Sequence, residues 1–288
     1  MEITKDGPAT YRNSAVRPGP IGLVLEAIRE IRARHRLIRY LAQADLKKKG
    51  SDTFFGNVWW VLDPLLQMGV YVILVTIIFA KNVPAYPLFI FAAILPWKWF
   101  TTTLGDSISS VSGQDKLIKQ IQFPKIVLPA AASLSGVVLF AFGFVPLFGM
   151  LILMYPGRIS ATLLLIPLVA AVQFVFTLAF SFALSALNVF FRDVGNLARH
   201  VLRLWFYLSP GLYGADTIVS IEKDHQIIGT AMRINPFFAI LESYRNVVYY
   251  GTVPDWVGLG SVLVVSVVLV VLAVWFFKRL EPAFAKVL

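Results

Sequence analysis

The chain of 288 residues is too apolar for a soluble protein of ordinary composition. Hydrophobic residues make up 58% of it and its mean hydropathy is +0.73, whereas a typical soluble domain is about 45–50% apolar. The formal net charge of +10 would suggest nucleic-acid binding in a soluble protein. In a membrane protein, it follows mostly from the enrichment of Lys and Arg in cytoplasmic loops. Because the chain has no cysteine, disulfides, thiolate metal sites and cysteine nucleophiles are excluded. We therefore expect a membrane protein without a nucleic-acid partner.

The N-terminal region is polar and basic. Residues 1–20 are rich in proline and polar side chains and are expected to form an extended tail. Residues 21–42 are predicted to form an amphipathic helix that lies in the membrane interface beside anionic headgroups. Its apolar side is formed by Val24, Ile28, Ile31 and Ile38. We assign residues 1–57 to a cytoplasmic tail and interface region, and residues 58–288 to a transmembrane domain.

Five apolar segments are long enough to cross a membrane, which takes about 20 residues in a helix. They are Trp59–Ala80, Tyr86–Phe100 (continuing with less apolar residues to Val111), Ile126–Tyr155, Ala161–Phe191 and Trp256–Phe277. A sixth segment, Val201–Tyr213, is shorter and is interrupted by Pro210 and Gly211. These segments predict an all-α polytopic membrane protein.

The connectors between these segments are alternately poor and rich in Lys and Arg, which predicts their side of the membrane. The most consistent arrangement has six transmembrane helices and both termini in the cytoplasm. The segment Ile234–Tyr250 then lies on the outer side between spans five and six. It is too short and too polar to span comfortably, so we predict a re-entrant or interfacial segment.

The sequence offers little support for catalysis. Its three histidines, His35, His200 and His225, are dispersed and lack the spacing of metal ligands. No G-x-x-x-x-G-K-[ST] motif is present, so the chain has no P-loop with which to bind ATP. We expect no catalytic residue, no metal site and no cofactor in this chain.

A few ionisable residues fall in or near apolar segments, where charge is costly and often functional. Asp63 precedes Pro64 at the start of the first span, and Lys98 lies between two tryptophans that are typical of an interfacial belt. Asp106 and Glu242 are either proton carriers or structural residues, and their isolation favours the structural role.

Four ordered pieces of sequence carry a family resemblance. They are Ala44–Tyr71 with Gly-x-x-Trp and Pro-Leu-Leu, Leu117–Pro129 (LIKQIQFPKIVLP), Phe191–Gly214 with Trp-Phe-Tyr-Leu-Ser-Pro, and INPFFAILESYRNVVYYG before the last span. Together they resemble the ABC-2 export permeases, and within that family the polysaccharide exporters for O-antigen, capsule, teichoic acid and galactan. The chain departs from the pattern at Asp63, where an uncharged residue is more usual.

The resemblance implies a permease that works as a homodimer with two copies of a separate P-loop ATPase, which binds ATP and Mg²⁺. It implies a lipid-linked polysaccharide of the undecaprenyl-diphosphate type as cargo, moved from the cytoplasmic to the outer side of the bacterial inner membrane. Two alternatives stay open: an exporter of the same architecture for a small molecule or drug, and a membrane-embedded glycan-processing enzyme.

Three groups of residues are candidate sites. By resemblance, the loop Gly113–Pro124 is the ATPase-coupling helix, although its lysines would also suit an ordinary cytoplasmic loop. Its contact residues are Lys116, Leu117, Ile118, Lys119 and Ile121. The candidate ligands of a lipid diphosphate are Arg34, Arg36, Arg39, Lys47 and Lys48, whose cations match phosphate oxygens but would equally anchor the chain to a lipid surface. The candidate channel aromatics are Trp59, Trp60, Phe174 and Tyr207, for which helix packing is the alternative.

Overall fold

The computed structural model describes residues 19–51, 55–80 and 83–288. These residues form helices and turns, and no β-strand occurs among them. In chain order the α-helices are α1 (Pro20–Ala33), α2 (His35–Gly50), α3 (Trp59–Val72), α4 (Tyr86–Ser112), α5 (Asp115–Gln120), α6 (Val127–Leu153), α7 (Ile166–Phe190), α8 (Val194–Tyr207), α9 (Ala215–Asp224), α10 (Gln226–Ile234), α11 (Pro236–Arg245) and α12 (Trp256–Val287). Short 3-10 helices at Gly56–Val58, Pro156–Arg158 and Ala161–Leu165, and π-helical turns at Ile73–Ile78 and Asn246–Tyr250, extend or join them.

Five helical segments of the described chain are long and apolar enough to cross a membrane. They are Gly56–Ile78, Tyr86–Ser112, Val127–Leu153, Ala161–Phe190 and Trp256–Val287. The predicted all-α, multi-pass fold is thus confirmed, and the five long apolar segments are found close to their predicted positions. The last helix continues ten residues beyond Phe277, the predicted end of its apolar part.

Helix α4 lies at the centre of the bundle. It packs against α3, α6, α7, α8 and α11, and every residue from Leu88 to Trp97 is buried. Two glycines of α6 allow this helix to approach α4 closely. A Cβ at Gly136 would lie 2.0 Å from Thr103 Oγ1, and one at Gly143 would lie 2.1 Å from Leu95 Cδ1. Larger residues at these two positions would push the helices apart.

The two ends of the bundle are formed by different elements, and exposed Arg and Lys side chains of α1 and α2 lie at one of them. At one end, which we call the basic end, α1 packs on α12, α2 packs on α6, and α5 contacts the end of α12. At the opposite end, which we call the far end, the segment before α7 contacts the π-helical turn after α11. There Thr162 donates to the carbonyl of Val247, and the Arg158 guanidinium lies 4.1 Å above the ring of Tyr249.

The segment predicted as a sixth span consists of a helix followed by irregular chain. Helix α8 begins beside Ile108 at the basic end and reaches the middle of α4, where Phe206 lies 5.3 Å from Trp97. The helix ends at Tyr207, because Pro210 has no amide hydrogen and disfavours helical backbone at the preceding residue. The chain then continues to the far end, where the Tyr86 hydroxyl donates to the carbonyl of Leu212 at 3.2 Å.

After this traverse, the chain returns into the bundle. Helices α9 and α10 pack on each other as a hairpin, and α11 begins near the middle of α4, where Phe237 lies 4.7 Å from both Trp97 and Phe100. The turn that follows α11 ends at the far end, where the Tyr249 hydroxyl donates to the carbonyl of Pro84 at 2.6 Å. Residues 236–250 thus run from the middle of the bundle to its far end.

The N-terminal helical region differs from the single helix predicted over residues 21–42. It is divided at Arg34, whose backbone leaves the helical range at φ −102° and ψ 21°, and its second half continues to Gly50. The reason is tertiary packing: α2 lies against α6, and the Ser135 hydroxyl donates to the carbonyl of Ala42 at 3.3 Å. The predicted tail before residue 19 lies outside the described residues.

Candidate functional site

Five cations form an exposed surface on the N-terminal helices, which we call the basic surface. Its members are Arg34, Arg36, Arg39, Lys47 and Lys48. All five side chains are exposed, and none forms an ion pair with a described residue. Arg36, Arg39 and Lys47 recur at spacings of three and eight residues, which places them on one face of α2. The structure therefore places three of the five predicted diphosphate ligands on one face of α2, whereas Lys48 lies about half a turn around the helix from Arg39. All five charges are without an ion pair among the described residues.

Lys49, although adjacent in sequence, does not belong to the basic surface. Its ammonium lies 2.8 Å from Asp45 and 2.6 Å from Asp106, so it fixes the end of α2 to α4. Burial alone would lower the pKa of Lys49, but the two carboxylates outweigh this effect and raise it. This ion pair supports the structural role over a proton-carrying role for Asp106.

A cavity of about 220 Å³ opens between α2, α3, α4 and α6. Its wall combines aromatic rings, hydroxyls and charges. It is lined by Lys49, Trp59, Trp60, Asp63, Pro64, Leu95, Lys98, Trp99, Thr102, Thr103, Gly136, Leu139 and Phe140. The Lys98 ammonium forms an ion pair with Asp63 across this cavity. A wall of this kind suits a ligand that has both apolar and hydroxylated faces.

The four candidate channel aromatics do not lie together. Trp59 and Trp60 line the cavity, and Trp60 also packs edge-on against Phe142 at 5.0 Å. Phe174 is half-buried and stacks on the far side of Trp99 at 6.3 Å, so it supports the cavity wall. Tyr207 lies at the end of α8 and is exposed. The structure thus brings two of the four to one cavity.

The predicted coupling segment contains the short helix α5. Lys116, Lys119 and Ile121 are exposed, and Leu117 is half-buried. Ile118 differs from the prediction because it is only 5% exposed and packs into the chain's own core. Its side chain supports the segment from within and is not available to a partner, because α5 turns this side toward α12.

Sequence reasoning did not single out Arg245, which is fully buried. Its guanidinium donates to the carbonyls of Tyr213 and Gly211, both at 2.8 Å, and to Glu242 at 2.7 Å. It also lies 3.9 Å above the ring of Phe89. Arg245 therefore ties the irregular chain after α8 to α11 and α4. In the sequence, a glutamate and an arginine three residues apart within an apolar segment could have indicated this ion pair.

Glu242 has a structural role in this arrangement. Its carboxylate pairs with Arg245, which favours the structural interpretation over a proton-carrying one. Among the residues that the structure describes, no group of three or more His, Cys, Asp and Glu side chains is arranged to hold a metal ion.

Comparison with known proteins places these features in a family context. The family described as ABC-2 type transporter matches residues 36–249. The chain is 33% identical over 263 residues to the O-antigen export system permease protein RfbA of Myxococcus xanthus, covering 91% of this chain and 99% of that protein. Two proteins of the same name from Klebsiella pneumoniae are each 28% identical over 256 residues, covering 88% of this chain and 95% of theirs.

Proposed function

Because this chain belongs to the ABC-2 type transporter family, we propose that it is the permease of an exporter for a lipid-linked polysaccharide. As the sequence predicts, it is a multi-pass transport permease and not an enzyme. The observation that carries the polysaccharide assignment is the match, over nearly the whole chain, to proteins named as O-antigen export permeases. The cargo is a glycan of the undecaprenyl-diphosphate type, which moves from the cytoplasmic to the outer side of the bacterial plasma membrane.

The energy comes from a separate ATPase, two copies of which bind ATP and Mg²⁺. The chain has no P-loop of its own, and its family implies an ATPase partner. The contact is made by the coupling segment, of which Lys116, Leu117, Lys119 and Ile121 are at least partly exposed. A permease that binds no ATPase after these residues are changed would support this contact, and unchanged binding would refute it.

The basic end faces the cytoplasm with both termini, and the far end faces outward. Helix α8 and residues 208–214 form the additional crossing, which is the fifth in chain order, and α11 is part of a re-entrant segment between it and the last crossing, α12. The concentration of exposed cations at the basic end supports this orientation. Since the chain has no native cysteine, single cysteines introduced at the two ends can be labelled from either side, and outside labelling at the basic end would refute the orientation.

A second copy of the chain packs beside the first. The most apolar stretch of the segment Gly56–Ile78 is only 11% buried in one protomer, so this helix has a large face for lipid or for another copy. Leu66, Val70, Ile73 and Ile77 contribute to that face. The mass of the purified permease in nanodiscs tests the homodimer, and a monomer in the active complex would exclude it.

The basic surface receives the diphosphate of the cargo at the inner leaflet. Its cations have no counter-charges among the described residues, and guanidinium groups bind phosphate oxygens with paired hydrogen bonds. Neutralising Arg34, Arg36 and Arg39 is expected to reduce export at unchanged protein abundance. Undiminished export would contradict this role.

The glycan passes the cavity that Trp59 and Trp60 line. Their indole rings suit the apolar faces of sugar rings, and Asp63 and Lys98 offer partners for hydroxyls. Phe174, which stacks on Trp99 of the cavity wall, and Tyr207, which is exposed at the end of α8, remain predicted channel residues. Export measured after replacement of both cavity tryptophans with leucine tests this path.

The assignment as a whole is tested by deleting the gene in its host. We expect the surface polysaccharide to disappear and its lipid-linked precursor to accumulate inside the cell. Complementation with the wild-type chain should restore export, whereas complementation beside a partner ATPase with an inactivated P-loop should not. Normal surface polysaccharide in the deletion strain would refute the function and leave a small-molecule exporter as the alternative.

A further inference from the structure

One lysine at the end of α12 is surrounded by three carboxylates. The Lys278 side chain is only 7% exposed. Its ammonium lies 2.9 Å from both oxygens of Glu30, 2.7 Å from Glu281 and 3.6 Å from Glu26. We call these four residues the Lys278 cluster. Because the two N-terminal members belong to α1, the cluster joins α1 to the last membrane helix.

The same cluster also holds the residue that directly follows the coupling segment Gly113–Pro124. The second carboxylate oxygen of Glu281 accepts a hydrogen bond from the backbone N–H of Lys125 at 2.5 Å. Nearby, the Lys119 ammonium donates to the carbonyl of Leu288 at 2.5 Å. The end of α12 and the residue after it therefore contact α5 at Lys119 and the chain after α5 at Lys125. A groove between these elements reaches from Glu30 to Ile118.

Orientation in the membrane does not explain this arrangement. The neighbouring Arg279 is exposed and also contributes a positive charge at this end of α12, so a buried second cation is not needed for topology. Nor is charge needed to bring α1 and α12 together, because Ala27, Phe277 and Phe284 already pack in one apolar core there. Buried charges are costly to keep, but their hydrogen bonds are directional and hold one geometry.

We propose that Lys278 is a positioning residue that makes the coupling segment, α1 and α12 move as one unit during transport. A displacement of the coupling segment passes through Glu281 to α12, and through Lys278 and Glu30 to α1. Helix α1 is followed by α2, which carries most of the basic surface, so a movement driven by the ATPase reaches the surface that receives the cargo. The inference rests on the proposed function, because it assumes that an ATPase acts on this segment.

The test compares ATP hydrolysis with polysaccharide export in the complete permease–ATPase complex. In Lys278→Met, ATP hydrolysis is expected to stay within about twofold of the wild type while export falls about tenfold. A loss of this size is typical when the coupling between two distant sites is removed. Lys278→Arg keeps the charge and should recover most of the export. Arg279→Met is the matched control, because it removes an adjacent but exposed cation, and it should behave as the wild type.

A second variant addresses folding. Lys278→Met leaves three carboxylates without their cation, whereas the triple variant Lys278→Met, Glu30→Gln, Glu281→Gln removes the charges together and leaves fewer of them unpaired. The triple variant should fold and hydrolyse ATP, while the amount of polysaccharide that it exports for each ATP hydrolysed stays below that of the wild type. The inference is overturned if the triple variant keeps the wild-type ratio of export to hydrolysis, or if both rates fall in proportion to the amount of folded protein.

The two proposals fail in different ways. If the wild-type complex exports no polysaccharide and the deletion strain keeps its surface glycan, the proposed function is wrong. If the wild-type complex exports polysaccharide and the Lys278 variants export it equally well for each ATP consumed, only the role of the Lys278 cluster is wrong.

Discussion

Replacement of Arg245 with methionine is expected to destabilise the protein strongly. The methionine keeps much of the side-chain volume but removes three hydrogen bonds, to Tyr213, Gly211 and Glu242. It also removes the cation from the ring of Phe89. Breaking a buried ion pair by removing one partner costs about 3–5 kcal/mol, because the other charge stays buried without compensation. The loss falls on the contact between the irregular chain after α8 and α11.

The assay is thermal unfolding of the purified protein in detergent. Since 1 kcal/mol corresponds to a shift of about 2–4 °C for a domain of 150–250 residues, we expect a decrease on the order of 10 °C. Arg233→Met is the matched control: Arg233 also pairs with a glutamate, Glu222 at 3.2 Å, but its side chain is 50% exposed. An exposed pair of this kind contributes about 0–1 kcal/mol.

A double-mutant cycle separates the ion pair from the backbone contacts. Glu242→Gln leaves the two carbonyl contacts of Arg245 in place but leaves its fully buried guanidinium without a counter-charge, so it should also destabilise the protein by several kcal/mol, about as much as Arg245→Met. In the double variant, the two losses should be less than additive, because no carboxylate is left buried alone. If Arg245→Met unfolds within about 2 °C of Arg233→Met, the guanidinium does not hold this region and the reasoning is wrong.

The remaining predictions concern the helix packing, the cavity and the coupling segment. Gly136→Leu forces a side chain where a Cβ alone would lie 2.0 Å from a threonine hydroxyl of α4, so the free energy of unfolding should decrease by about 1–3 kcal/mol or more, as is typical of overpacking. Gly149→Leu is the control, because a Cβ at Gly149 would meet open space, and it should unfold as the wild type does. Asp63→Asn leaves Lys98 unpaired in the cavity and should reduce export, whereas the double variant Asp63→Asn, Lys98→Met should restore part of it. Equal export by the wild type, the single variant and the double variant would contradict the role of the pair. Ile121→Ser should weaken ATPase binding to permease nanodiscs about tenfold if this exposed side chain is an interface anchor; unchanged affinity would remove it from the contact.

The long membrane helices could be predicted from the sequence because a run of about 20 apolar residues has few alternatives to a spanning helix. The end of α12 could not, because hydropathy treats Lys278 and Glu281 as two polar residues that stop a span. In the structure they neutralise each other one helical turn apart, 2.7 Å between their charged atoms. The helix continues past this ion pair to Val287.

The same limit applies to the candidate sites. A sequence count assigns Lys47, Lys48 and Lys49 to one basic run, but Lys49 is paired because Asp106 reaches it from a position 57 residues away. Ile118 looks like an exposed apolar residue of a polar loop until α12 is seen to cover it. Local patterns predict which residues belong to a segment, whereas distant helices decide which side of that segment is free.

The charges of this chain therefore divide by environment, and this division separates their roles. A cation in apolar surroundings needs counter-charges, and Arg245, Lys278 and Lys49 each have them at 2.9 Å or less. The cations of the basic surface have none among the described residues and are solvated, so they contribute little to folding and keep their attraction for anions. Loss of a buried cation should thus reduce the folded or coupled state, while loss of an exposed one should reduce binding of an anionic cargo. Ordinary counts of Lys and Arg along the sequence treat both kinds as equal, and only their contacts distinguish them.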